Sequence, residues 1–258
     1  MAAVPVLASR VGRDVALATA DGLVLWATHV EGPSRELVIV VAHGFTGGRD
    51  RPGVRRIVER FAQDAGVLAL DFRGHGRSAG LSTVGDVEVL DLRAAVETAR
   101  RLGYRRVATV GFSMGGSVAV RHAALYGGVD AVVTSSGPAR WFERGTPAMR
   151  RVHWMCESSV GRRAARRLLH TRIATRWDVI PDAPVQLVGA IAPTPLLIVH
   201  GDRDAYFPLS HPRALRAAAG EPSELWIIED MGHGEDAMTP RLQGDVAGWI
   251  ARATRLRG

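Results

Sequence analysis

The sequence predicts an α/β fold in which helices cover both faces of a largely parallel sheet. Short apolar runs typical of buried strands alternate with segments whose apolar residues recur at helical spacing, from residue 37 to residue 250. The 258 residues are 47% hydrophobic and 23% charged, which is typical of a protein with a packed core. No linker divides the chain, so we expect one domain over residues 1–258.

The first elements are expected to be an antiparallel hairpin and a central strand. Two apolar stretches between Asp14 and Val30 flank Asp21-Gly22, a dipeptide that favours a tight hairpin turn. The β-branched run from Leu37 to Ala42 predicts a strand that is buried on both faces. A helix is predicted next, because four apolar residues follow at helical spacing: Val54, Ile57, Val58 and Phe61.

Strands and helices then alternate until an insertion interrupts them. Further strands are expected at residues 67–71, 107–111, 129–134, 195–200 and 225–229. Asp86 is a plausible N-cap for the helix that follows it, a helix is expected from Met114 to about Tyr126, and the last helix is amphipathic. No buried strand is evident between Gly137 and Pro193, so we expect an insertion at about residues 138–193.

Composition excludes several classes of protein. The net charge of +7 comes from arginine alone, and no basic motif with interleaved aromatic residues predicts a nucleic-acid partner. Cys156 is the only cysteine, so no intrachain disulfide forms. The most apolar stretch, Leu37 to Ala42, is far shorter than the roughly 18 residues of a membrane span, and Met1 to Arg10 lacks the features of a signal peptide. We therefore expect a cytoplasmic protein without a membrane span.

The most informative motif is G-x-S-x-G, formed by Gly111, Ser113 and Gly115 between a predicted strand and a predicted helix. A serine on such a sharp turn needs small neighbours, because the backbone is strained and passes close to adjacent elements. A glycine-rich turn with an incidental serine is the alternative, and the strand-turn-helix context argues against it.

Four motifs of the chain together resemble a known family. They are His43-Gly44-Phe45, Asp71 to Ser78 (D-x-R-G-x-G-x-S), His200 to Asp204 with Pro208, and Gly232-His233-Gly234. With the serine motif, their order resembles that of the α/β-hydrolase superfamily, in particular its serine esterases and lipases, from about Glu36 to Trp249. The resemblance implies a mostly parallel eight-stranded sheet with helices on both faces and a helical cap insertion.

The resemblance also implies a catalytic triad of Ser113, Asp204 and His233. A serine hydroxyl becomes a good nucleophile when a neutral imidazole accepts its proton, and a carboxylate then stabilises the imidazolium. The chain order Ser, Asp, His is the order that this fold uses. Asp202 and Asp230 are rival acids, but we interpret Asp202 as a turn residue and Asp230 as the end of the last strand.

Attack on a carbonyl carbon also requires two backbone N–H groups that face the developing negative charge, and the resemblance assigns these to Phe45 and Met114. His43 and His75 are expected to brace loops. No metal or other cofactor is predicted, because no second ligand pair at a suitable spacing accompanies His153 and Cys156.

The insertion contains a basic helix and several aromatic residues. Arginines 162, 163, 166 and 167 form a basic face that is offset from Ala164, Leu168 and Leu169. We interpret this as a solvated helix whose apolar side packs on the core; peripheral contact with a lipid surface, or attraction of anions, is the alternative. Trp141, Phe142 and Trp154 are candidate substrate-binding residues, although aromatic residues also simply pack an insertion down.

These features predict hydrolysis of a small-molecule carboxylic ester, a thioester or a lipid acyl ester through an acyl-serine intermediate. Ser113 disfavours dehalogenases and epoxide hydrolases, which have an aspartate at this position. C–C bond hydrolases, cofactor-free haloperoxidases, acyltransferases and non-catalytic ligand-binding relatives stay open as alternatives.

Overall fold

The computed structural model describes residues 12–175 and 177–255, which contain one eight-stranded sheet. The strand order is β1-β2-β4-β3-β5-β6-β7-β8. The strands are β1 (Arg13–Ala18), β2 (Val24–Val30), β3 (Leu37–Ala42), β4 (Gly66–Leu70), β5 (Arg106–Phe112), β6 (Ala131–Ser135), β7 (Leu196–Gly201) and β8 (Ser223–Ile228). Strand β2 pairs antiparallel with β1 and β4, and all other neighbours are parallel. The mostly parallel sheet and the opening hairpin are therefore confirmed.

Helices cover both faces of this sheet, as predicted. They are α1 (Pro52–Phe61), α2 (Glu88–Arg101), α3 (Met114–Tyr126), α4 (Pro147–Glu157), α5 (Ser159–Leu168), α6 (Pro184–Leu187), α7 (Ser210–Ala218) and α8 (Pro240–Arg255). Successive side chains of a strand point to opposite faces, and β3 therefore supplies two cores. Val38 and Val40 pack in the core with α2, α3 and α7, whereas Ile39 and Val41 pack in the core with α1 and α8.

The prediction that Asp86 caps α2 is wrong. Helix α2 begins at Glu88 without a side-chain cap at Val87. The Glu88 carboxylate accepts hydrogen bonds from the backbone N–H groups of Thr83 and Gly85, at 2.8 and 3.0 Å. Asp86 instead lies beside Arg121, with 3.4 Å between their charged groups. Glu88, which lies within the helix, therefore provides the hydrogen-bond acceptor for the backbone N–H groups of the preceding loop. Asp86 faces Arg121 of α3 instead.

Residues 136–195, here called the β6–β7 segment, occupy the region where the insertion is expected. Thr146 caps α4 by accepting a hydrogen bond from the Met149 N–H at 3.2 Å, and Ser158 caps α5 by accepting one from the Gly161 N–H at 2.8 Å. A parallel bridge between Ser82 and Ile173 joins the segment to the loop that follows β4. Helix α6 packs on α3 and α7. The second half of the segment therefore lies against the main sheet assembly.

Helix α5 turns a small-residue face inward. Gly161 and Ala165 are its buried members, whereas Leu168 is 75% exposed. The interpretation that Leu168 packs on the core is therefore wrong, because the four-residue spacing of Gly161 and Ala165 places these two on the inner face. Among the described helices, none is long and apolar enough to cross a membrane.

Candidate active site

Ser113 lies on the sharp turn between β5 and α3, with a φ of 51° and a ψ of −116°. This positive φ is a strained conformation for a residue with a side chain. Gly111 and Gly115 are required for space: a Cβ on Gly111 would come within 2.1 Å of the Gly115 carbonyl oxygen, and one on Gly115 within 2.3 Å of the Ala42 oxygen. The two glycines of the motif thus allow the serine to project above the sheet edge.

The structure brings Ser113, His233 and Asp204 into one hydrogen-bonded chain. His233 Nε2 lies 2.8 Å from Ser113 Oγ, and His233 Nδ1 lies 2.7 Å from Asp204 Oδ2. The other oxygen of Asp204 accepts hydrogen bonds from the N–H groups of Tyr206 and Phe207, at 2.8 and 3.0 Å. Burial favours a raised pKa for Asp204, but the hydrogen bond from His233 and these two amides outweigh it and hold the pKa below its usual value. Asp204 is therefore an anion, and the proton of the neutral imidazole is on Nδ1.

Neither rival acid reaches the histidine. Asp202 is exposed in the loop after β7. Asp230 is also exposed and forms an ion pair with Arg203 at 2.6 Å. Of the three aspartates considered from the sequence, only Asp204 contacts the imidazole of His233.

The loop after β3 is held by His43. Gly44 O accepts hydrogen bonds from His43 Nδ1 at 2.7 Å and from the Gly47 N–H at 2.9 Å. His43 Nε2 accepts one from the Phe72 N–H at 3.1 Å, so the ring is neutral with its proton on Nδ1. Burial lowers the pKa of His43 to about 4. Because the C=O and N–H of a trans peptide point in opposite directions, fixing Gly44 O also fixes the Phe45 N–H.

The second motif histidine braces the same loop. His75 Nε2 accepts a hydrogen bond from the Thr46 N–H at 3.3 Å, and its Nδ1 donates to Arg73 O at 3.0 Å. Burial lowers the pKa of His75 to about 3. Among the described residues the Phe45 N–H has no hydrogen-bond acceptor, and the N–H of Met114 is the first of α3, where no intrahelical acceptor exists. The N–H groups of Phe45 and Met114 are thus both available to donate a hydrogen bond to a ligand.

Ser113 and His233 line a cavity of about 870 Å³. Two of the aromatic residues expected at the site, Trp141 and Phe142, also line it. Trp141 packs edge-on against Trp177, with 5.3 Å between ring centroids, and its indole N–H donates to Pro181 O at 2.7 Å. The aromatic residues of the β6–β7 segment thus form an apolar wall of the cavity that Ser113 lines.

Trp154 lies outside this wall, contrary to the prediction that it binds substrate. Its side chain is not among those that line the cavity, and the residue is 53% exposed. The residues of α4 that line the cavity are Met149, Val152, His153, Met155, Cys156 and Glu157. They lie on one side of the helix, and Trp154 falls on the other.

The side chains that line the cavity and were missed from the sequence include Trp177, Tyr206 and Glu235. Trp177 donates from its indole N–H to Thr83 O at 2.6 Å. Tyr206 stacks on His233, with 4.2 Å between ring centroids. Tyr206 and Glu235 each follow a triad residue by two positions in the chain, and this proximity is the signal that could have found them.

The chemistry of the described residues does not favour a metal or a second nucleophile. Burial raises the pKa of the Cys156 thiol to about 12, so it carries no thiolate at neutral pH. His153 Nδ1 is bonded to Glu157 at 2.9 Å. Within the described ranges, no group of three or more His, Cys, Asp or Glu side chains could hold a metal ion.

Comparison with known proteins matches this arrangement to a family. The sequence model described as "Alpha/beta hydrolase family" matches residues 39–245. The chain belongs to the alpha/beta hydrolase family. The match includes the serine turn, the loop after β3 and the loops that carry Asp204 and His233. The eight-stranded α/β-hydrolase fold and the resemblance inferred from the motifs are therefore confirmed.

Individual relatives of this alpha/beta hydrolase are esterases and lipases. The chain is 28% identical over 252 residues to a monoacylglycerol lipase of Mycolicibacterium smegmatis, covering 83% of this chain and 87% of that protein. It is similar in structure to the Pyrococcus furiosus esterase Pf2001, with a TM-score of 0.76, 24% identity and coverage of 95% and 92%. The alpha/beta hydrolase GrgF from Penicillium sp. sh18 gives a TM-score of 0.70, 20% identity and coverage of 94% and 96%. At these identities the two solved structures support the fold, and the relatives as a group support a hydrolase.

Proposed function

We propose that this protein hydrolyses carboxylic esters through an acyl-serine intermediate. The observation that carries the proposal is the chain of two short hydrogen bonds, 2.8 Å from Ser113 to His233 and 2.7 Å from His233 to Asp204. In the first half-reaction His233 Nε2 takes the hydroxyl proton as Ser113 Oγ attacks the carbonyl carbon. The imidazolium then gives that proton to the leaving alcohol, and the acyl group stays on Ser113.

The second half-reaction uses the same groups in the same order. His233 takes a proton from a water molecule, the resulting hydroxide attacks the acyl carbon, and the proton returns to Ser113 Oγ as the acid leaves. Asp204 stays ionised throughout and stabilises the imidazolium in both steps. In both steps the amides of Phe45 and Met114 donate hydrogen bonds to the carbonyl oxygen as it becomes negative, and each such donor contributes about 2.7–4 kcal/mol.

The substrate that fits this proposal is a small-molecule ester with an apolar acyl group; a lipid acyl ester or a thioester also fits. The acyl group would lie against the apolar wall that contains Trp141, Phe142 and Trp177, which supports a chain of several carbons. In this proposal the β6–β7 segment is the cap of a single catalytic domain. The relationship to a monoacylglycerol lipase supports the same substrate class.

The outer face of the β6–β7 segment supports peripheral contact with a lipid surface. Trp154, Val160 and Leu168 are 53%, 60% and 75% exposed, and arginines 163, 166 and 167 are exposed beside them. Apolar side chains flanked by arginine are typical of helices that lie at a lipid interface. Flotation with vesicles should recover more protein with anionic than with neutral lipid, and Leu168→Glu should reduce recovery. Equal recovery with both lipids, or no effect of the substitution, contradicts the contact.

Ester hydrolysis is tested by Ser113→Ala with p-nitrophenyl esters of increasing acyl length and with a fluorophosphonate probe. We expect the variant to lose both turnover and labelling while its thermal melting stays close to that of the wild type. Ser117→Ala is the matched control, since it removes a hydroxyl that lines the same cavity but donates to Met114 O. Undiminished turnover in Ser113→Ala overturns the assignment. A wild-type protein that neither labels nor turns over would instead support a non-catalytic ligand-binding member of the family.

A further inference from the structure

Glu235 places a carboxyl group beside the nucleophile. It follows His233 by two positions and lines the same cavity. The point at which a Cβ on Gly44 would stand lies 3.3 Å from Glu235 Oε2 and 3.3 Å from Ser113 Cβ. The carboxyl group and the serine therefore both lie against one glycine of the loop after β3.

Glycines make room for this side chain. A Cβ on Gly47 would come within 3.2 Å of Glu235 Oε1, and one on Gly53 within 3.3 Å of Glu235 Cγ. None of the three glycines, Gly44, Gly47 and Gly53, has a positive φ. Glycine is therefore needed at these positions for space and not for its backbone conformation. The chain thus leaves a path for the carboxyl group between the loop after β3 and the start of α1.

Among the described side chains, none forms an ion pair or a hydrogen bond with the Glu235 carboxyl group. The neighbouring acid differs, because Asp236 lies 3.5 Å from Arg56 and is 81% exposed. Burial raises the pKa of Glu235, and its own N–H and that of Gly44 only partly oppose this effect. These two backbone amides leave acceptor positions of the Glu235 carboxyl group unused, since a carboxylate has about four lone-pair sites. In this cavity a bound substrate can supply a further donor.

The position of His233 decides which part of the ester lies next to Glu235. The imidazolium must protonate the leaving oxygen, so the alcohol portion lies on the His233 side of the cavity. Glu235 is on the same loop as His233. The apolar wall of Trp141 and Trp177 is formed by the β6–β7 segment and suits the acyl portion.

We propose that Glu235 is a specificity-determining residue that accepts a hydrogen bond from a hydroxyl or protonated amine on the alcohol portion of the substrate. The inference deepens the proposed ester hydrolase function and rests on it. It predicts that the enzyme distinguishes esters by the leaving group, with Glu235 favouring a polar alcohol and the aromatic wall favouring an apolar acid.

The test uses three hexanoate esters whose alcohols have the same number of non-hydrogen atoms: pentanol, glycerol and 2-(dimethylamino)ethanol. We expect the wild type at pH 7 to prefer the glycerol and amine esters over the pentyl ester by about tenfold in kcat/KM. Glu235→Leu should bring both ratios to about one. Glu235→Gln should keep the ratio for glycerol, because the amide oxygen still accepts a hydrogen bond, and lower the ratio for the amine.

Asp236→Asn is the matched control and should leave both ratios unchanged. The inference is overturned if Glu235→Leu lowers kcat/KM for all three esters by one common factor, which is the result expected from a merely structural role. It is also overturned if Asp236→Asn, and not Glu235→Leu, removes the preference. If Glu235→Leu does not fold, the inference is tested by the glycerol and amine ratios of Glu235→Gln instead.

Labelling with the fluorophosphonate probe separates the two levels of the proposal. A wild-type protein that labels at Ser113 and hydrolyses all three esters equally refutes the role of Glu235 and leaves the ester hydrolase function intact. A wild-type protein that neither labels nor hydrolyses refutes the proposed function, and the role of Glu235 with it.

Discussion

His43 donates a hydrogen bond from Nδ1 to the carbonyl oxygen of Gly44 at 2.7 Å, and the peptide held in this way is the one that carries the Phe45 N–H. His43→Ala removes this hydrogen bond and leaves Gly44 O held only by the Gly47 N–H at 2.9 Å. We therefore expect kcat for p-nitrophenyl esters to fall by about 10- to 100-fold, less than the roughly 100- to 1,000-fold loss that follows removal of a whole oxyanion donor, with a smaller change in KM.

The control for this substitution is His122→Gln. His122 is equally buried, but it lies in α3 and outside the cavity lining. We expect this variant to be destabilised in thermal melts without a comparable loss of kcat. A His43→Ala protein that melts like the wild type and retains full kcat would contradict the role of His43 in fixing the amide.

Asp204 sets the tautomer of His233, because it accepts the hydrogen bond from Nδ1 at 2.7 Å. Asp204→Asn keeps the shape of the side chain but offers an N–H where the carboxylate accepts one, which favours the wrong tautomer. We expect kcat to fall by about 10⁴-fold. Asp202→Asn changes an exposed aspartate of the same loop and should leave kcat within about twofold of the wild-type value; a similar loss in both variants would speak against Asp204 as the triad acid.

The fold could be predicted because local sequence patterns indicate the alternation of strands and helices. The β-branched run at Leu37–Ala42 became a strand buried on both faces, and the helix predicted from Met114 to Tyr126 has those bounds. The antiparallel start followed from Asp21-Gly22. Ser113, Asp204 and His233, which the structure brings together, could be selected from the sequence because each occupies a short motif whose chemistry restricts its neighbours.

The features that could not be predicted depend on the direction in which a side chain points, and local sequence patterns do not determine that direction. Trp154 was expected at the site, but the face of α4 that meets the cavity contains Met149 and Val152. Leu168 was expected inside, but the small residues of α5 made the closer contact. Glu235 was missed because its position depends on glycines of a loop almost 200 residues earlier in the chain.

His122 predicts a specific pH dependence of stability. Burial, and secondly the charge of Arg93, lower its pKa from 6.5 to about 4, and its Nδ1 has no hydrogen-bond partner among the described residues. Glu97 and Tyr126 are the other titratable groups at the small pocket beside it. Between pH 6.5 and 4 the unfolded chain binds a proton that the folded chain does not, so the free energy of unfolding falls as pH falls through this window.

His122→Gln should remove this contribution. We expect the slope of the free energy of unfolding against pH between 4 and 6.5 to decrease by about 1.4 kcal/mol per pH unit, measured by urea denaturation. His170→Gln replaces an exposed histidine and should leave the slope unchanged. An unchanged slope in His122→Gln would show that the buried imidazole does not contribute to the acid-side loss of stability.

Substitutions at Gly115 and Gly103 distinguish the effect of a steric clash from the effect of backbone strain. A Cβ on Gly115 would come within 2.3 Å of the Ala42 carbonyl oxygen, whereas one on Gly103 would meet nothing within 4 Å although its φ is +87°. Gly115→Ala forces backbone elements apart, and we expect a loss of at least about 3 kcal/mol in the free energy of unfolding together with loss of activity. Gly103→Ala introduces only conformational strain and should cost about 1 kcal/mol. Urea denaturation distinguishes the two, and equal losses would contradict the close approach of Gly115 to β3.

Trp177 should determine how the enzyme selects acyl chains. Its ring packs against Trp141 and Phe142 at centroid distances of 5.3 and 5.7 Å, and its indole N–H donates to Thr83 O at 2.6 Å, so the ring is held over the cavity. Trp177→Leu removes the anchor and part of the apolar wall. We expect KM for p-nitrophenyl octanoate to rise by about tenfold while KM for the acetate changes little, because only the longer chain reaches the wall. Trp154→Leu removes an indole of the same segment from outside the cavity and should change neither KM value. If the acetate and octanoate respond equally to Trp177→Leu, the acyl group lies elsewhere, and the loss reflects disorder of the loop rather than a lost contact with the chain.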